Sequence, residues 1–176
     1  MHPRADLARP TDRSQALFLS ANEPHAYISG ECVECMAASD NVVRAGLTPK
    51  FKDVDVLTSM LTYIDGPPSI IYGEEISPHV RRYATPVEEF LVDSVALPAG
   101  SQATLPSVPG VSIVLVLEGG GVLEEFAEDA IGGTSLQHTV EAGAIFITSA
   151  DTFFHIRTRE KKMTLYRAAE RGELNW

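Results

Sequence analysis

The run Val111-Ser112-Ile113-Val114-Leu115-Val116-Leu117 is almost continuously apolar, and Gly119-Gly120-Gly121 and then Val122-Leu123 follow it. A short β-branched run bounded by glycine reads as a β-strand. The glycines open into Val-Leu-Glu-Glu rather than a helix, so they read as a hairpin turn and not as a phosphate cradle. The same pattern extends to both sides. Val87 to Leu97 is apolar in stretches and ends at Pro98-Ala99-Gly100, while Gly143 to Ile147, Phe153 to Ile156 and Met163 to Arg167 are further short runs. Strands at this spacing, joined by Gly and Pro turns, predict an antiparallel sandwich or jelly roll over roughly residues 85 to 170. The chain is therefore expected to be mainly all-β, with no solenoid repeat and no low-complexity tract.

Of 176 residues, 44% are apolar and 22% charged, enough apolar surface for a core and too much for disorder. There are 14 Lys and Arg against 24 Asp and Glu, a net charge of −10. That balance argues against nucleic acid or an anionic membrane as partner, because phosphate surfaces are bound by net positive ones. No stretch approaches the ~20 apolar residues that cross a bilayer. The opening MHPRADLARPTDR has charges but no apolar segment, so a secretory signal is not expected and a cytoplasmic location is.

Residues 1–13 read as a flexible lead-in. Ala16 to Leu19 is a short strand that ends in the turn Ser20 to Pro24; His25 to Ile28 and Glu31 to Ala37 read as further extended pieces. Phe51, Val54, Leu57 and Leu61 recur three or four apart, predicting one helix capped by Asp53, with Asp55 in its first turn and an end near Thr62. Gly66-Pro67-Pro68 then marks a domain boundary, giving 14–66 and 67–176 as the two domains. The two cysteines, Cys32 and Cys35, form one CxxC. A four-cysteine zinc site needs a second pair, and an extended segment holds residues three apart too far for a disulfide, so both read as small, half-buried side chains.

The segment from Ala21 to Tyr63 is more specific than any short motif. Its NEPHAY turn, ECMAASDNVVRAGLTPK run and FKDVDVLTSMLTY helix, joined without gaps, closely resemble type I mannose-6-phosphate isomerases. The all-β remainder is similar to the C-terminal jelly roll of the same enzymes, so 14–66 would be the end of a catalytic cupin domain, an incomplete one with a single helix, and 67–176 the C-terminal jelly-roll domain. The resemblance implies a zinc-dependent aldose–ketose isomerase that interconverts mannose 6-phosphate and fructose 6-phosphate and feeds GDP-mannose synthesis. In that family zinc is held by a Gln, two His and a Glu, and His25 matches the last of these ligands. Arg44 matches the catalytic arginine, where a permanent cation beside an enediolate or phosphate would stabilise negative charge. Lys50 matches a second active-site position, where it would be a phosphate partner. Glu34 would relay protons or orient a ligand, with Tyr27 and Asp40 as supporting groups. His155 follows Phe153-Phe154 and superficially copies a cupin metal position, but no HxH or acidic ligand joins it, so it reads as non-ligating. His2, His79 and His138 sit in polar or turn-like surroundings.

The Gln-x-His pair and the Glu ligand of the family lie upstream of the NEPHAY turn, and only 24 residues precede His25 here, without a QxH among them. One ligand cannot hold a zinc that takes three or four. The expected partner is therefore the missing N-terminal part of the enzyme, and the chain reads as a truncated piece or a remnant inactive alone. The alternative is a non-catalytic cupin module that binds a sugar or a partner protein; an unrelated metal-cupin oxygenase lacks its two-His-plus-carboxylate set.

Overall fold

The computed structural model describes residues 15–38, 42–127 and 135–171, which fall into two units divided between Ile70 and Ile71. The lead-in 1–13 and the candidate Asp40 lie outside the described residues. In the first unit are β1 (Gln15–Phe18) and helix α1 (Val54–Met60), and β1 pairs in a two-stranded sheet with β2 (Ser69–Tyr72), the strand at which the two units divide. Asp53 caps α1 by accepting from the Val56 N–H at 3.1 Å, and Asp55 sits in the first turn, as the spacing predicts. The helix ends at Met60 instead of Thr62, where Leu61 turns extended.

His25–Ile28 and Glu31–Ala37 do not become strands: among the described residues from 19 to 68, none outside α1 has regular structure. An extended segment becomes a strand only when a neighbour accepts its backbone hydrogen bonds, and these two meet no such neighbour among the described residues. Nor is any described residue before Ile71 buried.

The second unit is the jelly roll. It contains β3 (Glu74–Ser77), β4 (Val80–Ala84), β5 (Phe90–Leu97), β6 (Gln102–Leu105), β7 (Ser112–Glu118), β8 (Gly120–Ala127), β9 (Leu136–Glu141), β10 (Ile145–Thr148), β11 (Thr152–Thr158) and β12 (Met163–Glu170). A six-stranded sheet runs β10-β7-β12-β5-β4-β3 and a four-stranded one β6-β11-β8-β9, with antiparallel pairing throughout. Their inner faces meet in one core that includes Val95, Leu97, Val114, Val116, Leu123, Phe154, Ile156 and Leu165, each no more than 1% exposed. Burying each such side chain contributes ~1.5–3 kcal/mol. Strands β3, β4, β6 and β9 are additions to the sequence reading, since these short, mostly polar segments (Val80-Arg81-Arg82-Tyr83, for instance) carry little apolar signal.

The triple glycine is not a hairpin turn. β7 and β8 flank it but belong to different sheets, so the chain crosses from one layer to the other at Gly119, which has φ +75°. Glycine is needed for close approach as well as for that angle. A Cβ on Gly119 would overlap the Lys162 carbonyl oxygen, one on Gly121 the Arg157 carbonyl oxygen, and one on Gly120 would come within 2.6 Å of the Val140 oxygen. Three backbones are packed against this corner. Gly121→Ala should therefore lower the stability of the jelly roll by ~1–3 kcal/mol in urea unfolding, whereas Gly46→Ala, with open space at its Cβ, should change the midpoint little; equal effects would remove the close-packing explanation.

Candidate active-site segment

The segment begins at a turn in which Asn22 takes φ +65°, a conformation asparagine tolerates. Its carbonyl accepts from the Thr62 N–H at 3.3 Å, tying the start of the segment to the residue just past α1. Pro24 follows with its fixed φ and delivers His25 to the surface, the imidazole Nδ1 3.3 Å from the Glu23 carbonyl oxygen. The His25 and Tyr27 rings lie 5.5 Å apart, edge to face. Tyr27 in turn donates its hydroxyl hydrogen bond to Glu34 at 2.7 Å.

Three of the residues singled out in the sequence are thus brought together: His25, Tyr27 and Glu34. The Glu34 carboxylate accepts the hydrogen bond of the protonated phenol, which pushes the Tyr27 hydroxyl from 10.0 up to about 12; partial burial and the negative charge of Glu34 act in the same direction. Arg44 and Lys50 are exposed and are not joined to that group; the Lys50 backbone N–H donates to Thr48 Oγ1 at 3.2 Å. Cys32 is exposed, Cys35 half-buried, and both are free thiols, with burial raising the Cys35 thiol above its ordinary value. No three His, Cys, Asp or Glu among the described residues are placed to hold a metal ion.

A second polar cluster lies on the outer face of the four-stranded sheet. Thr104, Glu124, His155 and Arg157 line a depression of about 440 Å³ together with Ser77 and Gln102. His155 shares a hydrogen bond with Thr104 Oγ1 at 3.0 Å and meets Phe126 and Phe153 edge-on. The Ser135 hydroxyl bond, aided by Gln137, Arg157 and His155, holds the Glu124 carboxyl below its ordinary range. The outward alternation of β11 is the sequence signal for this cluster; it becomes visible only once the strand's register is known.

If the hydrogen bond to Glu34 raises Tyr27, the pair contributes stability that is complete below pH 10.0 and lost as pH rises through about 12. Ultraviolet titration of the tyrosines should show one late-ionising group that disappears in Tyr27→Phe and moves back toward its ordinary value in Glu34→Gln. An unchanged titration in Glu34→Gln would mean that the contact does not persist in solution.

No protein-family model matches the chain. Among curated proteins, it is 50% identical to mannose-6-phosphate isomerase 2 of Arabidopsis thaliana over 154 residues, covering 88% of this chain and 33% of the relative. It is 40% identical to the mannose-6-phosphate isomerase of Candida glabrata, covering 88% of this chain and 36% of that one. Among solved structures, oxalate decarboxylase of Lactobacillus farciminis superposes with a TM-score of 0.45 at 11% identity, over 55% of this chain and 29% of that one. The chain spans about a third of the length of the curated relatives it matches. By sequence it is a homologue of the C-terminal portion of the mannose-6-phosphate isomerases.

Proposed function

We propose that the chain supplies the end of the catalytic domain (residues 14–66) and the C-terminal jelly-roll domain (residues 67–176) of a zinc-dependent isomerase that interconverts mannose 6-phosphate and fructose 6-phosphate. The observation that carries this reading is the 50% identity over 88% of the chain, which leaves too few residues outside the match to omit the segment 21–63. Its surface supports the same reading: Ile28, Leu47 and Phe51 are 80%, 80% and 84% exposed. Apolar residues clustered in one uncovered segment mark a surface that needs more protein against it, here the upstream part of a family-length enzyme.

Aldose–ketose exchange moves a proton between adjacent carbons through an enediol, and needs a proton carrier, a cation for developing oxygen charge and an anchor for the phosphate. Arg44 is the cation, its planar guanidinium offering two parallel donors to an enediolate or phosphate. Lys50 anchors the phosphate as a point charge. Glu34 carries or orients the proton, with Tyr27 holding the carboxylate in place. His25 is one ligand of a zinc ion whose remaining ligands come from outside this chain; when bound, the metal would polarise the sugar oxygens. No helix among the described residues is long and apolar enough to cross a membrane, which accords with work in the cytoplasm on a soluble sugar phosphate and a role in GDP-mannose supply.

The chain alone should bind zinc weakly and lose it to a chelator. Restored to full length by fusion with the upstream part of a relative, His25→Ala should lose metal and activity together. Arg44→Ala should lose ~10²-fold in turnover while keeping its zinc and its unfolding midpoint, and Lys should rescue poorly. Near-normal turnover in Arg44→Ala would leave the arginine as a surface cation. Stoichiometric, chelator-resistant zinc on the isolated chain would point instead to Cys32, Cys35 and Glu34 as ligands.

A further inference from the structure

Strand β11 presents Phe153, His155 and Arg157 on the outer face of the four-stranded sheet, at every second residue and so over about 13 Å. The register sets a partner beside each of them: Phe126 beside Phe153, Thr104 and Glu124 on either side of His155, and Gln102 beside Arg157. Opposed residues of paired strands lie within side-chain reach of one another. The polar members of these rows line the depression of about 440 Å³, to which Ser77 also belongs, and that volume is in the range of small-molecule sites. The Phe126 and Phe153 rings stack with centroids 5.0 Å apart, 7° from parallel. Both are half-buried, and His155 meets each of them edge-on, so apolar surface adjoins the polar rows.

The two charges of the depression offset each other. Glu124, whose carboxyl the Ser135 hydroxyl at 2.9 Å helps to hold below its ordinary range, faces Arg157 Nη2 at 3.4 Å. That contact is long and occupies one of the three guanidinium nitrogens. An anion drawn to Arg157 meets the Glu124 carboxylate, and a cation drawn to Glu124 meets the guanidinium. A purely apolar ligand would strip water from both without replacing its hydrogen bonds. A hydroxyl suits the pair, because it donates to the carboxylate and accepts from the guanidinium at once. Gln102, Ser77 and the Thr104–His155 pair, joined at 3.0 Å, add donors and acceptors of both kinds. The chemistry that fits is a neutral molecule with several hydroxyls on a small frame and C–H surface to set against phenyl rings. A pyranose sugar has all of these.

We propose that the jelly roll carries a saccharide site on the outer face of its four-stranded sheet, with Glu124 and Arg157 holding hydroxyls of a neutral hexose and the Phe126–Phe153 pair contacting its C–H surface. The sugar is taken without a phosphate. A phosphate calls for converging cationic donors, and the single arginine here already faces a carboxylate. All the residues of the site belong to the jelly-roll unit and none to the segment 21–63, so it stands or falls independently of the isomerase reading.

The test is amide NMR of the isotope-labelled full chain, titrated with D-mannose, with maltose and with sodium phosphate at constant ionic strength. At least one of the two sugars should shift the amides of Thr104, Glu124, His155 and Arg157 saturably at millimolar concentration, while phosphate leaves them in place. Glu124→Gln and Arg157→Met change side chains on the outer face and should keep the fold, judged by unmoved amides at Val95 and Leu165 in the other sheet. Each should weaken the sugar about tenfold or more, the scale of one lost charged hydrogen-bond partner. No saturable shift with either sugar, a stronger response to phosphate than to sugar, or unaltered sugar binding in both variants would each overturn the site.

Discussion

β12, the last strand in the chain, lies in the middle of the six-stranded sheet, paired with β5 on one side over eight residues and with β7 on the other. Neither half of that sheet is joined to the other except through it. Its residues alternate without a break between buried and half-buried, so Met163, Leu165, Arg167 and Ala169 all enter the interior. Sheet closure thus waits for the end of the chain, and the pairings that define the jelly roll are mostly distant in sequence, the kind that form slowly and together. The same strand brings Arg167 to Asp93, which is how charged side chains come to lie beside a core built mainly from Val, Leu, Ile, Phe and Met.

The segment with the isomerase-like residues lives under the opposite condition. It has a capped helix, a proline turn and local hydrogen bonds such as Tyr27 to Glu34, yet no described residue in it is buried. Local interactions of that size hold a conformation only loosely unless tertiary packing reinforces them. A catalytic arginine or metal-binding histidine acts through position, and position comes from packed surroundings. Arg44 and His25 are exposed, as are Ile28, Leu47 and Phe51 of the same segment.

The corner at Gly119 shows where a local rule misleads. Glycine after a strand and before another is a sound hairpin signal, because it permits the tight turn that antiparallel neighbours need. In a two-layer fold the same residue serves the chain's passage between layers, and here Lys162, Arg157 and Val140 press their carbonyl oxygens against the three glycines. Those residues lie far along the sequence, so local pattern holds no record of them.

Much was legible in the residues alone: the all-β class from short β-branched runs, the helix from its period and its Asp53 cap, and the isomerase relationship from one long ungapped segment. These depend on neighbours within a turn or two, or on identity at matching positions. Which strands share a sheet, that β9 and β6 exist, that His25 stands beside Tyr27 while Arg44 does not, and that Arg167 is buried against Asp93 were decided only by the fold. Arg167 shows the reason. Arginine at an inward position of a strand opposes the hydrophobic pattern, and only a carboxylate brought from 74 residues away makes its burial tolerable.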